Sequence, residues 1–407
     1  MISFDKAKSI VNKNITALDT ESIDLMESGG RVLAEDIRAT FDMPRFNNSA
    51  MDGFAVRASD LMGASKNKPI ILKLIGGIAA GDSGDLSIGQ GECTRCMTGA
   101  PLPRGADAIV IVEDTSGFED KNEVKIFTES FSGKNIRYKG EEISNGDILI
   151  KKNQLISASE IGILASFGYA KVLVYRVPKI AIFATGDELL EPGEVLKDGK
   201  IYNSNLYIFS ELVRQRGFNV VMKEVVNDSP ESLRIFLSEA INNCDIIISS
   251  GGVSMGKYDY VRDIFMELGV EEHFWKVTQK PGKPLFFGTK SGKMIFGLPG
   301  NPVSSFLGFM VWVWPVFDRL MKVQKSQWIK AKLETPFPQE PIKTRFLFGK
   351  LFVKKENLMC TPSSKIGSHM LSSSLDANCI IKADPGQGDL QKGKDISVKL
   401  LPWKNLS

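Results

Sequence analysis

Acidic side chains beside glycine-rich turns are the residues of this chain with the clearest capacity for chemistry. Three segments carry them: Thr185-Gly186-Asp187-Glu188-Leu189, Ser249-Ser250-Gly251-Gly252-Val253-Ser254-Met255-Gly256 with Asp259 just beyond, and Gly297-Leu298-Pro299-Gly300-Asn301-Pro302-Val303-Ser304. Glycine lets backbone N–H groups approach an anion closely, and a helix that follows adds partial positive charge. One such loop alone is explained as a tight strand-to-helix turn. Two together, flanked by carboxylates, imply an anion site. Asp187, Glu188, Asp228 and Asp259 would repel phosphate unless a cation lay between, and their hard oxygens suit Mg²⁺, which bridges carboxylates and phosphate oxygens as a P–O bond breaks. Asp228 has a competing explanation, because Asp228-Ser229-Pro230 is also a helix start with an N-cap and a proline.

Lys280-Pro281-Gly282-Lys283-Pro284 lies between the second and third loops. Two prolines and a glycine stiffen the turn, so its two ammonium groups hold a small oxyanion at lower entropic cost than mobile lysines would. Upstream, Asn47 to Val56 packs a small polar cluster, Asp52 and Gly53 against the start of an apolar strand, and Asp-Gly is by itself a hairpin signal. Cys93 and Cys96 form a C-x-x-C without a second pair, and the chain has 5 cysteines and only 2 histidines. Two reduced thiols near a strand end are therefore expected rather than zinc or redox chemistry. Ser-His-Asp and histidine-rich zinc mechanisms are disfavoured on the same ground.

The elements that must position these groups follow from periodicity. Phe4 to Ile15 has a helical spacing, a second helix is expected over Ser22 to Leu33, and Ala34 to Phe41 is expected to be extended. From Met43 to about Arg137, short apolar runs such as Ile70 to Ile75 and Ala108 to Val112 are broken by Gly, Pro, Asp and Ser, which implies a compact β-rich domain. Ser157 to Phe167 is expected as a helix and Ala170 to Tyr175 as a strand. Strands at Lys179–Ala184, Asn219–Val225, Asp245–Ser249 and Met294–Gly297 then alternate with helices at Leu206–Arg216, Glu231–Asn242 and Tyr260–Leu268. That alternation implies a doubly wound parallel sheet with helices on both faces, whose ligands gather beyond the carboxyl ends of the strands. After Met321 the pattern returns to β, with Phe346–Val353 and Ile396–Leu400 as its better strands.

At 407 residues the chain is long enough for two to four domains, and 43% hydrophobic with 24% charged residues is an ordinary globular mix. The 51 basic and 48 acidic residues leave a net charge of +3, which argues against a nucleic-acid partner held by a general basic field. The N-terminus lacks a signal-peptide pattern, and the most apolar stretch, Val303 to Phe317, is shorter than the roughly 20 residues needed to span a bilayer. A buried helix, no membrane and a cytoplasmic location are expected.

Taken in order, these segments resemble the MoeA family, the molybdopterin molybdenumtransferases, which includes the E domain of gephyrin. The matching residues are Ser49-Ala50-Met51-Asp52-Gly53, Met97-Thr98-Gly99-Ala100-Pro101-Leu102-Pro103, Gly140-Glu141-Glu142-Ile143, the three loops above through Asp259-Tyr260, Lys280 to Pro284, and in the tail Gly367-Ser368 and Ala377-Asn378-Cys379. The likeness runs nearly end to end. Phe54 stands where the family usually has tyrosine, and Glu142 where aspartate is usual.

The resemblance implies an elongated homodimer. Its subunit would comprise an N-terminal helix (1–20) on the α/β domain, a linking domain (21–43 and 138–175) and an inserted β domain (44–137). A molybdopterin-binding α/β domain (176–322) and a C-terminal β-barrel (323–407) would complete it. It implies Mg²⁺-dependent hydrolysis of adenylyl-molybdopterin coupled to insertion of molybdate into the dithiolene. Asp52 and Thr98 of one subunit would face Glu188, Asp228 and Asp259 of the other as the catalytic set, with Asp187, Glu188, Asp228 and Asp259 toward the metal. Lys280, Lys283, Arg345 and Ser368 would take molybdate, with Pro284 shaping the turn. Gly251, Gly252, Ser254, Gly300, Asn301 and Pro302 would serve the phosphate or pterin side. Arg345 lies in an apolar context beside Phe346, Leu347 and Phe348. The molybdopterin adenylyltransferase is expected as a separate partner. Two other functions compete: the adenylyltransferase step itself, disfavoured by the segments around Asp52 and Thr98, and a non-catalytic scaffold, which would have no use for the acidic cluster and lysines.

Overall fold

Alternate side chains on the central strands point into two different apolar cores, which is what a sheet covered on both faces requires. In the computed structural model, which describes residues 1–119, 122–253, 260–322 and 328–405, the chain divides into two units. One comprises Met1–Ala34, Asn153–Ser157 and Lys171–Ser407; the other comprises Glu35–Lys152 and Ala158–Ala170.

The larger unit opens with α1 (Phe4–Lys13), whose start is fixed by the Ser3 hydroxyl accepting from the Lys6 N–H at 3.3 Å and whose inner face is Phe4, Ala7 and Val11. The helix expected over Ser22 to Leu33 is not formed. Thr20–Asp24 is instead strand β1, paired antiparallel with β2 (Lys171–Tyr175), followed by a single 3-10 turn. Ser28-Gly29-Gly30 disfavours a continuing helix, and Gly30 adopts φ +77°.

The α/β layer follows: β3 (Ile180–Thr185), α2 (Asn205–Gln215), β4 (Val220–Val226), α3 (Pro230–Asn243), β5 (Ile246–Ser250), α4 (Val261–Glu267), β6 (Glu271–Lys276), β7 (Pro284–Lys290) and β8 (Lys293–Leu298). Its order is β4-β3-β5-β8-β7-β6, with β4, β3, β5 and β8 parallel and β7 and β6 antiparallel. The four parallel strands are those expected. The two antiparallel strands β7 and β6 extend the sheet beyond β8, with β6 at the edge, and were not anticipated. Ile180, Ile182, Ile246, Ile248 and Phe296 face one core with α2, while Ala181, Phe183, Ile247 and Ile295 face the other with α3 and α4. The apolar stretch after β8 is a buried helical run, α5 (Pro302–Gly308), a π turn over Phe309–Val313, and α6 (Trp314–Leu320).

The unit closes with β9 (Ile329–Leu333), β10 (Thr344–Lys354), β11 (Asn357–Pro362), β12 (Cys379–Ala383) and β13 (Asp395–Leu400). β10 pairs with β11, β11 with β9, β9 with β13, β13 with β12, and β12 back with β10, so the five strands form a closed barrel. Leu333, Leu351, Ile381 and Val398 fill it.

In the smaller unit a five-stranded sheet runs Ala108–Ile111, Gly53–Val56, Glu92–Cys96, Ile70–Ile78, Glu123–Ile126. Cys93 and Cys96, three apart on one strand, belong to separate apolar clusters and are both buried. Burial pushes their thiols up to about 12 and about 11 respectively, which disfavours the thiolate form at neutral pH. The Asp52-Gly53 pair does not turn a hairpin. Gly53 begins a strand laid against Ala108–Ile111, where a Cβ would meet the Val110 carbonyl oxygen at 2.0 Å, so glycine is required by close backbone approach.

Candidate active site

A cleft of about 950 Å³ opens beyond the carboxyl ends of β3, β5 and β8, where a parallel sheet presents its loops. Glu188 and Asp228 line it, as do Gly251 and Gly252 after β5 and Gly300, Asn301 and Pro302 after β8. Lys280, Lys283, Pro284, Arg345 and Ser368 line the same cleft. Sequence positions from 188 to 368 are thus brought to one place. Asp187 is exposed and is not part of the lining; its backbone carbonyl accepts from the Lys200 ammonium at 2.6 Å. Asp259 and Ser254 lie outside the described residues. Asp52 and Thr98 belong to the other unit.

The backbone of the second loop is shaped for its place. Gly252 has φ +69°, and a Cβ there would meet Val261 Cγ2 at 2.2 Å, so both conformation and space require glycine. Asn205, unmarked by the sequence reading, ties the two glycine loops together. Its amide donates to Ser250 Oγ at 2.7 Å and to the Gly300 carbonyl at 2.7 Å. The available signal was the polar triplet Asn203-Ser204-Asn205 ahead of an apolar helix.

The helix-cap explanation for Asp228 does not hold. Ser229 is the N-cap of α3, its hydroxyl accepting from the Ser232 N–H at 3.2 Å, and Pro230 follows in the first turn. Asp228 Oδ1 instead accepts from the Thr185 hydroxyl at the end of β3. Glu188 and Asp228 provide the one or two cleft carboxylates that Mg²⁺ characteristically takes alongside waters and phosphate oxygens. Among the described residues no three metal-binding side chains cluster.

The cleft also carries a cationic set, Lys280, Lys283, Lys343 and Arg345. Gln279–Lys280 pairs in parallel with the start of β10, which sets Lys280 beside Arg345. Arg345 is 4% exposed; its Nη1 donates to the Pro338 carbonyl at 2.5 Å, and its Nε has no hydrogen-bond partner among the described residues. A buried guanidinium with an unused donor is costly unless something accepts from it. Lys280 donates to Glu340 Oε1 at 2.6 Å, and that hydrogen bond, with Lys280, Arg345 and Lys343 nearby, holds the Glu340 carboxyl below its ordinary value. Glu340 and Lys343 were also missed from sequence. Asn301 donates to Ser368 Oγ at 3.4 Å, and the Val303 N–H to the Ser368 carbonyl at 3.0 Å, joining the third loop to the barrel segment.

In the smaller unit, Asp52 Oδ1 accepts from the Thr98 N–H at 2.7 Å and the Thr98 hydroxyl at 2.8 Å. The backbone donor, then the hydroxyl, holds this carboxyl below its ordinary value, so Asp52 is ionised at neutral pH.

Fold and cleft together define a multidomain α/β protein with one cleft lined by carboxylates, glycine-rich loops, lysines and an arginine. Residues 2–168 match the MoeA N-terminal region (domain I and II), residues 181–319 a probable molybdopterin binding domain, and residues 330–401 the MoeA C-terminal region (domain IV). A molybdopterin molybdenumtransferase of Staphylococcus aureus (strain MRSA252) is 37% identical over 394 residues, covering 96% of this chain and 93% of its own. That of Staphylococcus epidermidis is 37% identical over 402 residues, covering 98% and 95%. The solved structure of a molybdopterin biosynthesis MoeA protein from Pyrococcus horikosii aligns with a TM-score of 0.85 at 31% identity, covering 98% of this chain and 99% of that one. The chain belongs to the MoeA family.

Proposed function

We propose that this chain is a molybdopterin molybdenumtransferase, which hydrolyses the phosphoanhydride of adenylyl-molybdopterin and places molybdate on the dithiolene sulfurs to complete the molybdenum cofactor. One observation carries the reading: carboxylates, glycine loops and a lysine–arginine wall share a single cleft. Relatives at 37% identity across 93% of their length bear the corresponding name.

Lys280, Lys283, Arg345 and Ser368 receive molybdate, whose tetrahedral oxygens suit a fork of guanidinium donors with two point charges beside it. The unused Arg345 Nε is such a donor. Pro284 shapes the turn that holds the lysines. Gly251, Gly252, Ser254, Gly300, Asn301 and Pro302 serve the phosphate and pterin portion. Glu188 and Asp228, with Asp187 and Asp259, are the residues that would hold Mg²⁺, which when bound neutralises charge on the phosphate oxygens. In the hydrolysis, water oxygen bonds to the molybdopterin phosphorus, the P–O bond to the bridging oxygen breaks, AMP leaves with that oxygen, and the proton lost from water passes to solvent. Asp52, held ionised by two Thr98 donors, acts as an acceptor and a fixed negative charge, not as a proton donor. The protein works as a cytoplasmic homodimer in which Asp52 and Thr98 of one copy serve the cleft of the other, and it takes substrate from a separate adenylyltransferase.

The test supplies adenylyl-molybdopterin, Mg²⁺ and molybdate and follows AMP release with formation of active cofactor. Molybdate-dependent AMP release is expected. Consumption of ATP with free molybdopterin would instead identify an adenylyltransferase, and inertness with both substrates would identify a scaffold.

A further inference from the structure

Glu340 is a carboxylate paired with Lys280 of the cationic set, and its charge works against an incoming anion. It accepts from Lys280 at 2.6 Å, its side chain is 19% exposed against 51% for Lys280, and Arg345 and Lys343 also act on it electrostatically. Its backbone is fixed independently, the Glu340 carbonyl accepting from the Gly386 N–H at 3.0 Å. Among the described residues no other carboxylate is hydrogen-bonded to Lys280. An ammonium already paired at this distance presents fewer donors and less charge to a ligand.

We propose that Glu340 is a resident counter-anion of the oxyanion pocket, which the oxyanion must displace from Lys280 in order to bind. This rests on the reading of Lys280, Lys283, Arg345 and Ser368 as that pocket. Pairing Lys280 internally keeps the empty wall from carrying uncompensated charge. It also lowers affinity for the bound oxyanion, which must later be given up to the dithiolene. Uniformly tight ground-state binding would not speed that transfer. Glu340 acts through Lys280 and is a positioning residue.

Calorimetric titration of the full-length protein with molybdate tests this. Glu340→Gln, which keeps shape but removes charge, is expected to tighten molybdate binding about fivefold, the worth of a partly exposed ion pair. In turnover it should lower KM for molybdate without raising kcat. The gain should vanish when Lys280→Met is already present, a coupling that a merely structural role for Glu340 would not produce. Unchanged or weaker binding in Glu340→Gln, with normal binding by the parent protein, overturns the proposal while leaving the pocket reading intact. Absence of molybdate binding in both parent and variant overturns the pocket reading and this proposal with it.

Discussion

Asp52 and Glu188 illustrate how differently two exposed carboxylates can be prepared. Asp52 is clamped by Thr98, whereas Glu188 lies free of ion pairs among the described residues. Because the folded-state pKa of Asp52 is depressed, its charge is present above the ordinary carboxylate range and is lost only as pH falls through the lower folded value. Thr98→Val removes the hydroxyl donor but keeps the backbone one. The acid limb of the pH–rate profile should therefore move to higher pH, measured as AMP release against pH with the parent protein alongside. Glu188→Gln should reduce AMP release by at least about a hundredfold, the scale of losing one charge-stabilising group, while leaving the thermal midpoint unchanged because the side chain is exposed. A wild-type rate would remove Glu188 from the reacting set. The glycine loops and lysine turn were legible at this scale because their residue types are rare in such clusters. Asn205 and Glu340 were not, since their partners lie 45 and 60 residues away and nothing local marks the pairing.

Elements whose ends carry distinct chemistry were legible, and those defined only by neighbours were not. Three of the parallel strands, β3, β5 and β8, stood out as apolar runs because both their faces are buried, whereas β4 at the sheet edge carries Lys223 and Glu224 and is mostly part-exposed. β6 runs through Glu271, Glu272, His273 and Lys276 and lacks that signature, while β7 holds a buried apolar run, Leu285 to Phe287, that directly follows the Pro-Gly-Lys-Pro turn. Thr20–Asp24 became a strand because its partner Lys171–Tyr175 lies far along the chain. At this scale Asn205→Ala should cost about 1–2 kcal/mol of stability by freeing two loop contacts, and should raise KM for substrate, seen by thermal melts and initial rates. Lys399, 4% exposed on β13 and held down to about 8 by burial against attraction from Asp318, makes a stability prediction of definite sign. Its folded pKa lies below the unfolded 10.5, so protonation favours unfolding, and the penalty grows as pH falls between those values. Lys399→Met should therefore stabilise the protein at pH 7 by about 3 kcal/mol and lose that advantage above pH 10. Melting curves at both pH values check it, and equal shifts at both would contradict the titration argument.

At the scale of the whole molecule, the carboxylates proposed to react are distributed between two units of the chain, Asp52 in one and Glu188 in the other. Domain class was legible from the order of β-rich and alternating α/β segments, whereas the C-terminal barrel was expected only through the family resemblance, because a strand pairing that joins Ile329 to Val398 leaves no local pattern. Pairing two such units in a symmetric dimer would give each cleft residues from both polypeptides. The most direct measurement mixes two inactive variants, Asp52→Asn and Glu188→Gln, after dissociating and reassociating the subunits. Each heterodimer then holds one intact cleft, and AMP release should return to about a quarter of the wild-type rate, as random pairing in a twofold dimer requires. A mixture as inactive as either variant alone would contradict a cleft shared between subunits.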